Sequence, residues 1–307
     1  MMGTPVQADV NLGNSAVNIT PNGTYNGSNT VSKNSVVVGY QNNTAGGPSD
    51  ESGKIAYGAA NEATRESSLA VGNQNHATNK SASAIGVGNT ASGEASVAMG
   101  NSSTASGDRS IAIGSGANAT QGAALAIGRQ AEATGSSAVA LGYLNKATNN
   151  VAVGVGVNNK VSGEGATSVG SSNTVTGDNS SVLGRQNTVD GASVAGAVAV
   201  GYKNKASGDR AIAIGEGNDS QKEDTITMGY NNTASVGGAV AIGQDNVANS
   251  GGNAGNTMIA IGRQNEATAQ DTIAIGREAK AKNDLSVAIG NRTEATANAA
   301  IAIGTNG

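Results

Sequence analysis

Cysteine, tryptophan and phenylalanine are absent from this chain, and Tyr, at six residues in 307, supplies all of its 2% aromatic content. Without Cys there is no disulfide framework and no thiolate metal site, which suits a chain exported without oxidative trapping. Without large aromatics there is no ordinary globular core, because a domain of this length normally fills its interior with bulky side chains. Only three prolines and one histidine occur. A net charge of −4 and a pI near 5.1 argue against a nucleic-acid partner. No apolar run approaches the length of a membrane-spanning helix. Glycine, in contrast, is abundant at 46 residues, and with Ser and Asn it would by default indicate disorder. Periodicity overrules that default.

Glycines that close an apolar–small–apolar triplet fall at 39, 58, 72, 86, 100, 114, 128, 142, 156, 170, 184, 201, 215, 229, 243, 262, 276, 290 and 304. Fifteen of the eighteen intervals are fourteen residues, and the others are seventeen or nineteen. A repeat of this kind marks a stack of like units. The residue before each glycine is apolar, as in Ile113, Ile127 and Leu141, and the one two places earlier is usually Val, Ile or Leu. Between them stands Ala in fourteen of nineteen copies. Alternation predicts a β-strand with the large pair on one face and the small residue on the other. Glycine then allows the turn.

Three residues after the glycine stands Asn in thirteen copies. Asn tolerates left-handed turns, and stacked amides also hydrogen-bond as a ladder. Two places later comes Ala or Val in sixteen of eighteen copies, flanked by polar residues, which predicts a second short strand. Each repeat is therefore expected to be one coil of a parallel solenoid. At about 4.8 Å per coil the nineteen copies would build a rod roughly 90 Å long.

The large pair is expected to face the core of each coil, which makes a thin interior in need of support. The opposite face of that strand would then be almost entirely Ala. Solvent does not enforce smallness, so this face is expected to meet another copy of the chain through Ala98, Ala112, Ala126, Ala140, Ala213, Ala241, Ala274 and Ala288.

"SVAIGN" at 286–291, "AIAIGEGN" at 211–218 and "SVAMGNSSTASG" at 96–107 resemble the head repeats of the YadA-like trimeric autotransporter adhesins. The resemblance covers 31–307 and rests on period, glycine and the small residues of both strands. It implies an all-β, left-handed parallel β-roll assembled as a homotrimer, with 1–30 as an N-terminal cap. "VNITPNGTYNGS" in that segment reads as turn-rich. The resemblance also implies a non-enzymatic adhesin at the cell surface, held in the outer membrane by a C-terminal barrel of the parent protein. Neck, stalk and anchor motifs are not found in this sequence. The implied partners are the chain itself and a host receptor or matrix protein: collagen, fibronectin, laminin or an immunoglobulin-type receptor of the CEACAM kind.

Candidate contact residues follow from position in the repeat. The residue after the marker glycine is Tyr at Tyr143, Tyr202 and Tyr230 and Arg at Arg129 and Arg185, types that dominate binding hot spots. Leu144 follows Tyr143 and is the one bulky apolar residue at its place in any coil. Insertions lengthen three coils near 44–53, from Gly191 to Gly196, and from Ser250 to Thr257, all at the same point of the repeat. Equivalent insertions line one side of a solenoid. His76 occupies an outward polar position without metal-ligand neighbours, and no nucleophile–base–orienter set exists, so neither catalysis nor a cofactor is expected. An acyltransferase β-helix would need a six-residue period. Ice binding would need a doubled Thr array, whereas Asp190, Gln221, Asn249 and Lys282 interrupt the single rank present. A non-adhesive fibre or spacer is the alternative that fits the same repeats.

Overall fold

A computed structural model of the chain describes residues 9–11, 17–20, 29–47, 52–191, 193–249 and 257–305. Every regular element among them is a β-strand. The chain divides into two compact units, Met1–Val151 and Ala152–Gly307, and each is a parallel β-solenoid.

Each repeat forms one coil. A long strand carries the apolar triplet, the glycine and the residue after it, as in Ile111–Ser115. A short strand carries two residues, as in Asn118–Ala119. Successive long strands pair in parallel with like opposite like: Val97 faces Ile111, Ala98 faces Ala112 and Gly100 faces Gly114. Short strands do the same, Ala105 opposite Ala119. The longer intervals leave register intact, since Gly184 still pairs with Gly201 and Gly243 with Gly262. Slipping by one residue would exchange the two faces of a strand, so surplus residues are accommodated in the turn instead.

The marker glycine is required by contact as well as by conformation. Gly86 has φ +123°, and a Cβ there would lie 2.1 Å from the carbonyl oxygen of Gly100 in the next coil. Each coil also turns through two left-handed residues, for example Gln74 and Ser81, both at φ 54°. Such residues are unfavourable by about 1–2 kcal/mol each outside glycine. Their amides are satisfied by the preceding coil, Gln74 N donating to Ala59 O at 2.9 Å and Ser81 N to Glu66 O at 2.8 Å.

The orientation of the long strand is the reverse of the expectation. Ala98, Ala112, Ala126, Ala140, Ala213, Ala241, Ala274 and Ala288 are 0% exposed, turned into their own coils, and so do not form a face toward another chain. Their large neighbours point outward and stay half-buried or exposed, as with Ile111 and Ile113 beside buried Ala112. The reason is width. A fourteen-residue coil closes around two short walls, and Ala112 on one wall and Ala119 on the other already fill the gap. Where one wall loses volume the other gains it: Gly154 and Ser168 on long strands accompany Val161 and Val175 on short ones. Between two neighbouring coils, Ser220 on a short strand and Thr227 on the following long strand join their hydroxyls at 2.8 Å across the interior.

The Asn three places after the glycine builds an amide ladder. Asn232 Nδ2 donates to Asn218 Oδ1 at 2.9 Å, to Met228 O at 3.1 Å and to Gly243 O at 2.8 Å. Asn232 Oδ1 then accepts from Asn246 Nδ2 and from the Asn246 backbone amide. The left-handed conformation belongs to the preceding residue, Asn231 at φ 53°. Ladder members are fully buried, so each amide replaces water for the carbonyls around it. In the first unit the ladder runs from Asn42 through Asn61, Asn75 and Asn89 to Ser103 and then meets Ala117 and Ala131. At that interruption the long strand shortens to Leu125–Ile127.

Before the first coil, Val17–Thr20 pairs in parallel with Ser35–Tyr40 and antiparallel with Asp9–Asn11. One strand thus lies against the opening coil and a second lies against that strand. The turn-rich stretch between them and the repeats, 21–28, lies outside the described residues.

Candidate interaction surface

Each coil has two turns, one at either end of the long strand. The first follows the marker glycine and carries the Tyr and Arg positions, and the second carries the insertions. The candidate residues therefore occupy two different edges.

At the first turn, like positions of adjacent coils come into contact. The Arg129 guanidinium stacks 4.3 Å from the centre of the Tyr143 ring, covering part of what the sequence offers as an exposed aromatic. Tyr143 keeps 37% exposure, and Leu144 beside it is half-buried in a left-handed conformation at φ 56°. In the second unit Arg185 lies 4.5 Å and the Lys203 ammonium 5.0 Å from the Tyr202 ring centre. A hydrogen bond with Lys203 holds the Tyr202 phenol below its ordinary pKa, against the opposing effect of desolvation, and the charges of Lys203 and Arg185 add to the lowering. Tyr230 is 50% exposed.

At the second turn, the insertion is tied down by its neighbours. Gly196 N donates to Asp178 O at 2.9 Å, and Asp209 Oδ1 accepts the Ala195 amide at 3.0 Å. Gly191 has φ +154°, and a Cβ there would meet a Val194 methyl group at 2.4 Å. Beside it opens a shallow cleft of about 230 Å³ lined by Ser193, Val194, Ser207, Asp209, Lys222 and Glu223. Thr257 is exposed, its amide donating to Asp271 Oδ1 at 3.0 Å, whereas Ser250 lies outside the described residues.

Two features of the surface escaped sequence reasoning. The first is the outward apolar ribbon: along the first unit it runs through Val97, Met99, Ile111, Ile113, Leu125, Ile127, Val139 and Leu141, with Met99 38% and Leu141 40% exposed. The signal was the largeness of these residues, assigned to the wrong face. The second is charge sorting. In the second unit the first turns carry Arg185, Lys203, Arg263, Arg277 and Arg292 against Glu216, Asp245 and Glu278. The second turns carry Glu164, Asp178, Asp209, Glu223, Asp224, Asp271 and Asp284 against Arg210 and Lys222.

On the short strands, facing charges pair with opposite sign. Lys146 Nζ lies 2.6 Å from Glu132 Oε2, and His76 Nδ1 lies 2.9 Å from Glu62 Oε2, both one coil away. His76 thus sits against a surface carboxylate of the neighbouring coil. Among the described residues no three His, Cys, Asp or Glu side chains gather as a metal site requires.

A stack of parallel coils with sorted edges, shallow clefts and an apolar flank presents its outward side chains in register. A family model for the YadA head domain repeat, two copies at a time, matches residues 63–89, 77–103, 91–117, 119–145, 162–187, 195–218, 221–246, 259–279 and 281–306. These matches span most of the chain, which belongs to the YadA head family, a family of surface-exposed adhesins of the bacterial outer membrane, in general non-enzymatic. No curated protein matches the chain.

Proposed function

We propose that the chain is the head of a bacterial adhesin that assembles as a homotrimer of left-handed β-rolls and attaches to a host receptor or matrix protein. The observation that carries assembly is the outward ribbon of Val, Ile, Leu and Met on the long strands, with Leu183 53% and Met228 41% exposed in the second unit. An outward apolar pair repeated coil after coil is the kind of surface that marks an interaction site. Three copies joined along it would bury the strip and leave both turn edges outside. Collagen, fibronectin and immunoglobulin-type receptors are the partners to screen, and the parent protein would present the head on the outer membrane through its own anchor.

Contact is assigned to the turns and to the strand-end residues beside them, because the other long-strand side chains are spent on the interior or on the ribbon. Tyr143 with Leu144 is the leading anchor, followed by Tyr202, Tyr230 and the insertions that begin at Gly191 and Ser250. Sedimentation of the wild-type chain at micromolar concentration tests assembly, and a monomer there rules it out. A binding screen against matrix proteins and receptor ectodomains tests adhesion. Replacing both Tyr143 and Leu144 by Ala should then weaken the receptor found by about 2 kcal/mol or more while leaving melting unchanged.

A further inference from the structure

In-register charges on the short strands alternate in sign, Glu266 facing Lys280 and Lys280 facing Glu294. At the first turn of the same coils this rule is broken. Arg263 faces Arg277 directly, and Arg292 follows Asn291, the partner of Arg277. Like charges opposite each other in neighbouring strands are destabilising. A local rule that a chain obeys nearby and breaks in one place marks a site under another demand.

Two of the three arginines are held before any partner arrives. Glu278, the one carboxylate among them, accepts a hydrogen bond from Arg292 Nε at 2.9 Å and forms an ion pair with Arg277, whose Nε lies 3.2 Å away. The hydrogen bond from Arg292, with the charges of Arg277 and Arg263, holds the Glu278 carboxyl below the usual glutamate range. Glu278 therefore stays ionised, holding the Arg292 guanidinium by its Nε edge and pairing with the charge of Arg277. The backbone helps: Glu278 N donates to Arg263 O and Arg292 N to Arg277 O, each at 2.8 Å. Arg277 and Arg292 keep side-chain exposures of 52% and 58%. Arg263 is exposed and makes no ion pair among the described residues. Three guanidiniums and one carboxylate leave two positive charges over two coil spacings, about 10 Å, on a chain whose net charge is −4.

We infer that Arg263, Arg277 and Arg292 form a docking rank for a linear sulfated polysaccharide. Planar guanidinium forks match sulfate and carboxylate oxygens in pairs. A polymer with an anionic group on each sugar meets a cation on each coil, so polymer and solenoid repeat on comparable lengths. The acidic second turns lie at the other end of the long strand and confine the polymer to this edge. The inference deepens the adhesive reading, on which it rests for its extracellular setting, and does not depend on a protein receptor.

The test uses the full chain and a heparin-derived dodecasaccharide in calorimetric titration. A non-sulfated chain of the same backbone length and a DNA duplex of similar charge are the comparison ligands. Binding to the sulfated probe is expected to weaken steeply between about 50 and 200 mM salt, as counterion release requires. The double variant Arg263→Gln/Arg277→Gln should lose at least about tenfold in affinity, with unchanged circular dichroism and melting. Lys222→Gln, a cation at the second turn, should bind as wild type. No binding of the sulfated probe at about 150 mM salt overturns the inference. So does an equal loss in Lys222→Gln, or equal affinity for the DNA duplex. A chain that binds a protein receptor and ignores every polysaccharide overturns it too, and leaves the adhesive reading standing.

Discussion

Ala112 has no exposed surface, and its methyl group points at the wall that carries Ala119. Ala112→Leu must therefore push the two walls of one coil apart, a change that costs about 1–3 kcal/mol by overpacking. The loss should appear in the thermal unfolding of the chain even at dilutions where subunits separate, because the crowding is internal. At about 2–4 °C per kcal/mol for a unit of this size, differential scanning calorimetry resolves it. Gly86→Ala should be at least as damaging, since its new methyl group would sit 2.1 Å from a backbone oxygen that cannot swing away. The same substitution at Gly238, where nothing lies within 4 Å, should cost only the left-handed conformation at φ +70°. Comparing the two melting temperatures separates contact from conformation.

The coil is the next scale, and its weakest members are those without an amide rung. Asn232→Ala would remove the buried acceptor of the Asn246 amides and the donor to one buried and two part-buried oxygens. Groups left unpaired in that way cost about 1–3 kcal/mol each. Ala117 and Ala131 already lack the rung, and the Ala131 amide reaches only Gly128 O at 3.4 Å. Hydrogen exchange should accordingly find the amides of 113–131 opening before those of 212–246, and equal protection across both stretches would show that the ladder is not what holds the coils. Period, register and the place of the Asn were all legible in the sequence, because glycine and Asn serve backbone needs that repeat in every coil. The sense of the long strand was not. Alternation reveals two faces without saying which is inside, and reading the larger pair as core is sound only where the interior is wide enough to hold it. The contact of Arg129 with Tyr143 was within reach, since both follow a marker glycine fourteen residues apart. The pairing of Glu278 with two arginines was not, because it needs side-chain directions.

For the whole molecule the outward ribbon and the repeat make separate demands. Ile113→Lys with Ile127→Lys places two charges on the ribbon and touches nothing inside the coil. Those variants should sediment as folded monomers, whereas a retained trimer would move the interface elsewhere. Deleting residues 101–114, one full period, should give a folded and slightly smaller protein, because a solenoid unit contacts only its neighbours. Removing seven residues should give an insoluble chain, since it would set a polar short strand against the ladder of long ones. Equal solubility of both deletions would be incompatible with the stacked-coil architecture.

The hydrogen bonds that join coils reach back or forward by one repeat, as from Gln74 to Ala59 and from Ser81 to Glu66. Contact order is accordingly low for an all-β chain, close to that of helical bundles. A coil needs only the finished coil beside it as a template, so folding can advance coil by coil in one direction. Each coil that closes cannot reopen without breaking its bonds to the last one. Folding would thus move along the chain in steps of fourteen residues.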